Sequence, residues 1–256
     1  YVTGSIYLKS NVTLQLDYGA TILGSTNPFD YVKDKKIGWM SMIFAVNQEN
    51  IGITGKGIIN GRGFTTANNM VNYIHRGVFV DPLKYDRPNE TNRPQNIYFR
   101  DCTNIIITDI TLKDPASWNQ TYDQCKNLYV DHITVDSKSY WNNDGIDITD
   151  CKKVRITNCF INSADDGICL KSSNPNSGCE DVYIDSCKIR SSASAFKMGT
   201  ASSGGFRNIK VRNLEIYDTY RSAIAIESVD GGVVENIDIQ NIVARNTGNA
   251  IFIKRG

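Results

Sequence analysis

The chain has 256 residues, with 28 Lys and Arg against 27 Asp and Glu, a net charge of +1 and 41% hydrophobic residues. Charges this balanced and interspersed exclude the basic footprint of a nucleic-acid binder and the one-sided charge of a membrane-surface protein. No stretch reaches the length of an apolar membrane span, and no signal peptide is visible.

In chain order, the first elements are short. Tyr1-Val2-Thr3-Gly4-Ser5-Ile6 reads as a pattern already under way, and the chain stops just after a strand, so the natural protein is expected to be longer at both ends. Residues 11–16 and 50–54 alternate apolar and polar side chains and read as degenerate repeats. Residues 55–63 form a glycine-rich turn region. They lack the Gly-Lys-Ser/Thr ending of a phosphate loop, and no helix is expected after them. Residues 64–94 break the pattern, with Pro82, Pro88 and Pro94 among polar residues, and a long loop is expected there, with His75 solvated within it.

From Ile105 onward six stretches fall into register. They start at Ile105, Leu128, Val154, Val182, Ile209 and Ile237, which are 23, 26, 28, 27 and 28 residues apart. A period of this length marks a stacked-repeat architecture. The period-two alternation within each unit is that of a strand. A bend follows each first strand, at Asp109, His132, Asn158, Ser186, Asn213 and Asn241, and most of these residue types tolerate left-handed backbone. A second short strand comes next, then a variable loop and a third strand such as Ile146-Asp147-Ile148 or Phe196-Lys197-Met198. Three strands per turn without helical patterning imply an all-β fold, a parallel β-helix, with right-handed winding as the default. One elongated domain over residues 1–256 is expected.

The cysteines keep the same register. Cys102, Cys125, Cys151 and Cys179 each precede a repeat start by three residues, and Phe206 and Val234 continue that column. This reads as thiols stacked in the core, about one strand spacing (~4.8 Å) apart. A metal cluster is disfavoured, because the column also accepts Phe and Val. Neighbouring disulfides are possible by distance, but seven cysteines is an odd number and nothing demands oxidation.

Acidic residues gather before two successive third strands, in Asn142-Asn143-Asp144-Gly145 and Ala164-Asp165-Asp166-Gly167. Asp144 and Asp166 occupy equivalent positions one coil apart, with Asp165 beside them. Three carboxylates this close cannot all ionise cheaply, so at least one pKa is expected to rise. That separates a proton donor from a proton acceptor, as glycoside hydrolysis requires. Water-facing turn aspartates are the alternative, since Asp-Gly is a common turn dipeptide.

These two motifs, in this order on a β-helix, resemble the Asn-Thr-Asp and Asp-Asp motifs of glycoside hydrolase family 28, the polygalacturonase family. The glycine-rich stretch at 52–63 and Ser203-Gly204-Gly205-Phe206-Arg207-Asn208-Ile209 are similar to further segments of that family, so the likeness spans nearly the whole chain. The resemblance implies a right-handed parallel β-helix and hydrolysis with inversion. Asp165 would be the general acid, and Asp144 and Asp166 would activate water. No metal or organic cofactor is implied. The family setting implies secretion or a bacterial periplasm.

The chain also departs from the family. Ser194 stands where a histidine is expected, and in the Arg-x-Lys motif that grips the galacturonate carboxylate, Ala225 replaces arginine and Glu227 replaces lysine. Charge reversal at a carboxylate-binding position argues against ordinary polygalacturonate, because two buried anions repel. By strand alternation Lys171, Lys197 and Glu227 face outward on the sheet of the aspartates and are expected to rebuild the sugar subsite. A weak surface ion pair is the alternative reading. Trp118, Tyr140, Trp141 and Tyr220 lie in loops on the same edge, with Trp141 and Tyr220 the preferred sugar-stacking candidates. His132 falls at a bend and reads as structural.

The expected partner is therefore a polysaccharide or oligosaccharide, with a monomeric protein and no nucleic acid or membrane. A polysaccharide lyase needing a basic residue and usually calcium, and a non-catalytic carbohydrate-binding β-helix, remain as alternatives. Endo or exo action is not legible, although residues 64–94 could wall off one end of a cleft.

Overall fold

The structure, a computed structural model, describes residues 1–33, 38–83 and 87–256. The chain winds into a right-handed parallel β-helix with three strands per coil. The first face carries Thr13–Gln15, Glu49–Thr54, Thr103–Thr108, Lys126–Asp131, Lys152–Thr157 and Cys179–Asp185, each pairing in parallel with the next coil. The last two coils are continuous strands, Phe206–Ser228 and Val234–Arg255, that bend through all three faces.

The register expected from the repeat is the one observed. Ile105 pairs with Leu128, Leu128 with Val154, Val154 with Val182, Val182 with Ile209, and Ile209 with Ile237. The two early segments are genuine coils, since Leu14 pairs with Ile53 and Ile51 with Ile105. Alternation turns one side of every strand inward, and the buried Ile, Val and Leu of all three faces form one continuous core. All seven cysteines are buried free thiols; six lie along this core, and Cys169 stands instead in the outward column of Asp147 and Lys197.

The bends follow local residue chemistry. Asp109, His132, Asn158, Ser186, Asn213 and Asn241 all have φ between 51° and 62°. A second left-handed column runs through Asn11, Asn50, Asn104 and Asn127, and their side-chain amides bond coil to coil at 2.9 Å. Asparagine suits these corners twice over, by tolerating the left-handed region and by bridging to its own kind one rung away.

The insertion differs from the sequence expectation. Residues 63–75 are not loop but an α-helix, Gly63–His75, which does follow the glycine-rich turn. The turn is still no phosphate loop, as it lacks the Gly-Lys-Ser/Thr ending. Thr66, Ala67 and Met70 are buried, and Thr66 Oγ1 and Asn69 Nδ2 donate to the Ser25 and Thr26 carbonyls. Three asparagines in 13 residues give weak intrinsic helix preference, so the helix owes its stability to this docking. His75 is its last residue. Positions 84–86 of the expected loop lie outside the described residues.

Candidate active site

The third face carries the acidic motifs. Asp144 and Asp166 precede the strands Ile146–Thr149 and Ile168–Ser172 on successive coils. The glycines after them are required by close approach. A Cβ on Gly145 would sit 2.4 Å from the Gly167 carbonyl oxygen, and one on Gly167 would sit 2.5 Å from that of Ala195. The coils therefore touch backbone to backbone here, with Gly145 N–H donating to the Asp166 carbonyl at 2.9 Å and Asp165 N–H to that of Asn143 at 3.2 Å.

A stack of serines holds the motif from below. Ser137, Ser163 and Ser191 are paired in register. Ser137 Oγ donates to the Asp144 carbonyl at 3.0 Å, and Ser163 and Ser191 both donate to the Asp165 carbonyl. Asn143, fully buried, donates to the carbonyls of Pro115 and Ser117 and accepts from Tyr140 N–H. Arg93 reaches in from the insertion, donating to the carbonyls of Pro88, Ala116 and Trp141 and to Asn142 Oδ1. Arg87 stacks over Trp141 and also binds Asn142.

This framework brings the three expected carboxylates together. One oxygen each of Asp144, Asp165 and Asp166 lies within 4.8 Å of the others. Asp144 and Asp166 are each only 4% exposed, while Asp165 is half-buried and opens on a cavity. A fourth carboxylate, Asp147, joins them from the next outward position and is fully buried.

Two lysines neutralise the group. Lys171 Nζ lies 3.0 Å from Asp147 and 3.5 Å from Asp144, over the Trp118 ring at 4.7 Å. Lys197 Nζ lies 3.2 Å from Asp166 and 3.7 Å from Glu227. Ser194 N–H donates to the other oxygen of Asp166 at 3.1 Å, so the position where the family has histidine contributes its backbone. Lys197 does stand in register with Cys169 and Asp147, and the next residue in that column is Ala225.

The electrostatics follow from burial. Burial pushes the Asp144 carboxyl well up, helped by Asp147, Asp165 and Asp166 and opposed by Lys171. Burial lifts Asp147 to about 6 against the pull of Lys171. Asp165 rises through burial and the Asp166 charge. Burial works against the charged form of Lys171 and Lys197, but the carboxylates outweigh it and both are held as ammonium ions. One cation shared by Asp144 and Asp147 cannot neutralise both, so the cluster retains a proton into neutral pH. The lysines already meet Asp144, Asp147 and Asp166, and an ammonium beside each of these does not suit a divalent cation.

Cavities of about 530 Å³ open on two sides. One is lined by Trp39, Tyr98, Trp118, Asp123 and Lys171. The other is lined by Phe64, Trp141, Asp165, Ala193 and Arg221. Trp141, 59% exposed, thus shares a cavity with Asp165, whereas Tyr220, 80% exposed, lines neither cavity. Trp39, Phe64 and Arg221, which line these cavities from other coils or from the insertion, carry no signal in the repeat pattern. Trp118, one of the four loop aromatics on this edge, lines the first cavity. Asp147 carried a legible signal, a charge at an outward strand position in the column of Lys197.

The model of glycosyl hydrolases family 28 matches residues 3–256. A Vitis vinifera protein named "Probable polygalacturonase" is 28% identical over the whole chain and 48% of its own length. A Persea americana polygalacturonase is 25% identical over 94% of this chain and 49% of its own. The chain spans about half the length of these curated relatives. Among solved structures, a Yersinia enterocolitica family 28 exopolygalacturonase superposes with a TM-score of 0.83 at 20% identity, covering 99% of this chain and 53% of that one. A Thermotoga maritima exopolygalacturonase superposes at 0.77 with 23% identity, covering 99% and 65%.

Proposed function

Since the chain belongs to glycosyl hydrolases family 28, we propose that it hydrolyses a glycosidic bond in a pectic or related plant polysaccharide, acting outside the cytoplasm as a monomer. The observation that carries this reading is the convergence of Asp144, Asp165 and Asp166 within 4.8 Å, with Asp165 opening on a cavity and the other two buried behind it. Asp165 is the general acid. It is the most accessible of the three, it opens on a cavity, and its raised pKa keeps the proton it must donate. Asp166 and Asp144 steer the attacking water. Asp166 commits one oxygen to Ser194 N–H and the other to Lys197, which suits a fixed base better than a nucleophile.

Carboxylates this close would by spacing alone fit a retaining pair. The family resemblance and the engaged oxygens of Asp166 favour inversion, and proton NMR of the first-formed anomer distinguishes the two.

The Lys197–Glu227 pair supports a rebuilt subsite. Where the family presents two cations to a uronate, this chain presents Ala225 and a carboxylate already paired with lysine. The sugar at this position is one without a free carboxylate, held by Lys197 and Glu227 through its hydroxyls. Lys171 supports the site from beneath through Asp144 and Asp147, and Trp141 offers a stacking face. Tyr220 stays a rim candidate at the same edge.

Neither Lys171 nor Lys197 suits the base of a lyase, because the carboxylates hold both as ammonium ions. Reducing-end release from a panel of pectic polymers, with Asp165→Asn as the control, tests the proposal. Product absorbing in the ultraviolet would instead indicate elimination, and no product across the panel would favour a binding protein.

A further inference from the structure

The cations around the carboxylates are nearly all committed. Lys171 serves Asp144 and Asp147, and Lys197 serves Asp166 and Glu227. Arg93 and Arg87 hold the Trp141–Asn142 turn, and Arg190 is bound to the Ser163 carbonyl and Ser192 Oγ. Arg221 is different. Its backbone N–H is fixed to the Ala193 carbonyl at 2.9 Å, while its guanidinium makes no hydrogen bond or ion pair among the described residues. It is exposed and lines the cavity of about 530 Å³ that also contains Asp165, Trp141 and Phe64.

We propose that this cavity is a subsite for a sugar residue bearing a free carboxylate, with Arg221 as its anchor and Trp141 and Phe64 as apolar walls. A guanidinium presents two parallel N–H donors that match a carboxylate, and aromatic rings cover the C–H face of a sugar. The cavity wall otherwise offers amide, hydroxyl and aromatic groups, and Asp165 is the single anion in it. Acid recognition has thus moved from the third-face positions Ala225 and Glu227, which cannot provide it, to the register break between Thr219 and Ser222 just upstream on the same continuous strand. Arg221 is a specificity residue and takes no part in bond cleavage.

The inference rests on the hydrolase reading only for its expectation of an acidic saccharide, and a binding measurement keeps the two apart. Trigalacturonate and its fully methyl-esterified form are titrated calorimetrically into the Asp144→Asn protein, with and without Arg221→Ala and Arg221→Lys. The free acid is expected to bind more tightly than the ester. Arg221→Ala should weaken the acid by about 10- to 100-fold and leave the ester unchanged, with Arg221→Lys between. Equal binding of acid and ester to the parent, binding of neither, or an equal effect of Arg221→Ala on both overturns the proposal. Failure of the wild type to release reducing ends would sink the hydrolase reading and leave this comparison intact.

Discussion

Lys171 Nζ lies 3.0 Å from Asp147 Oδ1, and no other donor reaches that buried carboxylate among the described residues. A fully buried carboxylate stays charged only while such a partner stands against it. Lys171→Met is therefore expected to destabilise the fold by about 3–5 kcal/mol at neutral pH. The folded-state pKa of Asp147, about 6, lies above its ordinary 3.8. Its contribution to stability is thus complete below about pH 4 and is lost as pH rises through 6. In the variant both acids are neutral at pH 4, so the damage should be small there and large at pH 7. Urea midpoints at the two pH values check this, and an equal loss at both would contradict it.

Activity should trace a bell in kcat/KM against pH. The falling limb at high pH is set by Asp165, whose burial beside Asp166 raises its pKa, because the acid must enter the reaction protonated. Asp165→Asn should reduce kcat about 10²- to 10⁴-fold while leaving thermal stability near wild type. Retained activity in that variant would remove Asp165 from the role.

Lys197 bridges Asp166 and Glu227, which lie on the coils before and after its own. Lys197→Ala should raise KM for the productive substrate, and the Lys197→Met and Glu227→Gln changes should be non-additive by about 0.5–3 kcal/mol in transition-state binding. Unchanged affinity in Lys197→Ala would reduce the pair to a structural ion pair.

Arg93 is fully buried and donates to three carbonyls and one side chain from the insertion across to the Trp141–Asn142 turn. Arg93→Met leaves those acceptors without a donor and should cost about 2–4 kcal/mol. Trp141 is at the far end of this clamp, so its fluorescence should report the change before global unfolding.

The stacked thiols should be inert. Burial pushes Cys125 well up, and the hydrogen bond with Cys187 together with burial does the same to Cys159, and a protonated thiol is a poor nucleophile. Cys187 alone among them is drawn down, by its hydrogen bond with Cys159, yet it too is buried. Native protein should react with a thiol reagent only at the rate of unfolding, and reductant should leave the melting temperature unchanged. Prompt modification of any cysteine would show that the core column opens.

The solenoid is legible in the chain alone. In a coil each residue's neighbour is the residue one period away, so a one-dimensional alignment already lists the contacts. The stacking of Asp144 beneath Asp166, the column of Asp147, Cys169 and Lys197, and the left-handed corners at Asn158 and Asn213 could all be read this way. What does not repeat emerges only from packing in three dimensions. The helix Gly63–His75 forms because it docks on Ser25 and Thr26, with too little local preference to announce itself. Arg93 and Phe64 reach the site from the insertion, and Arg221 reaches it from the register break between Thr219 and Ser222, where the period is interrupted. Which lysine neutralises which acid depended on side-chain length and burial, because a shared ammonium is apportioned by distances of a few ångströms that spacing along the chain does not encode.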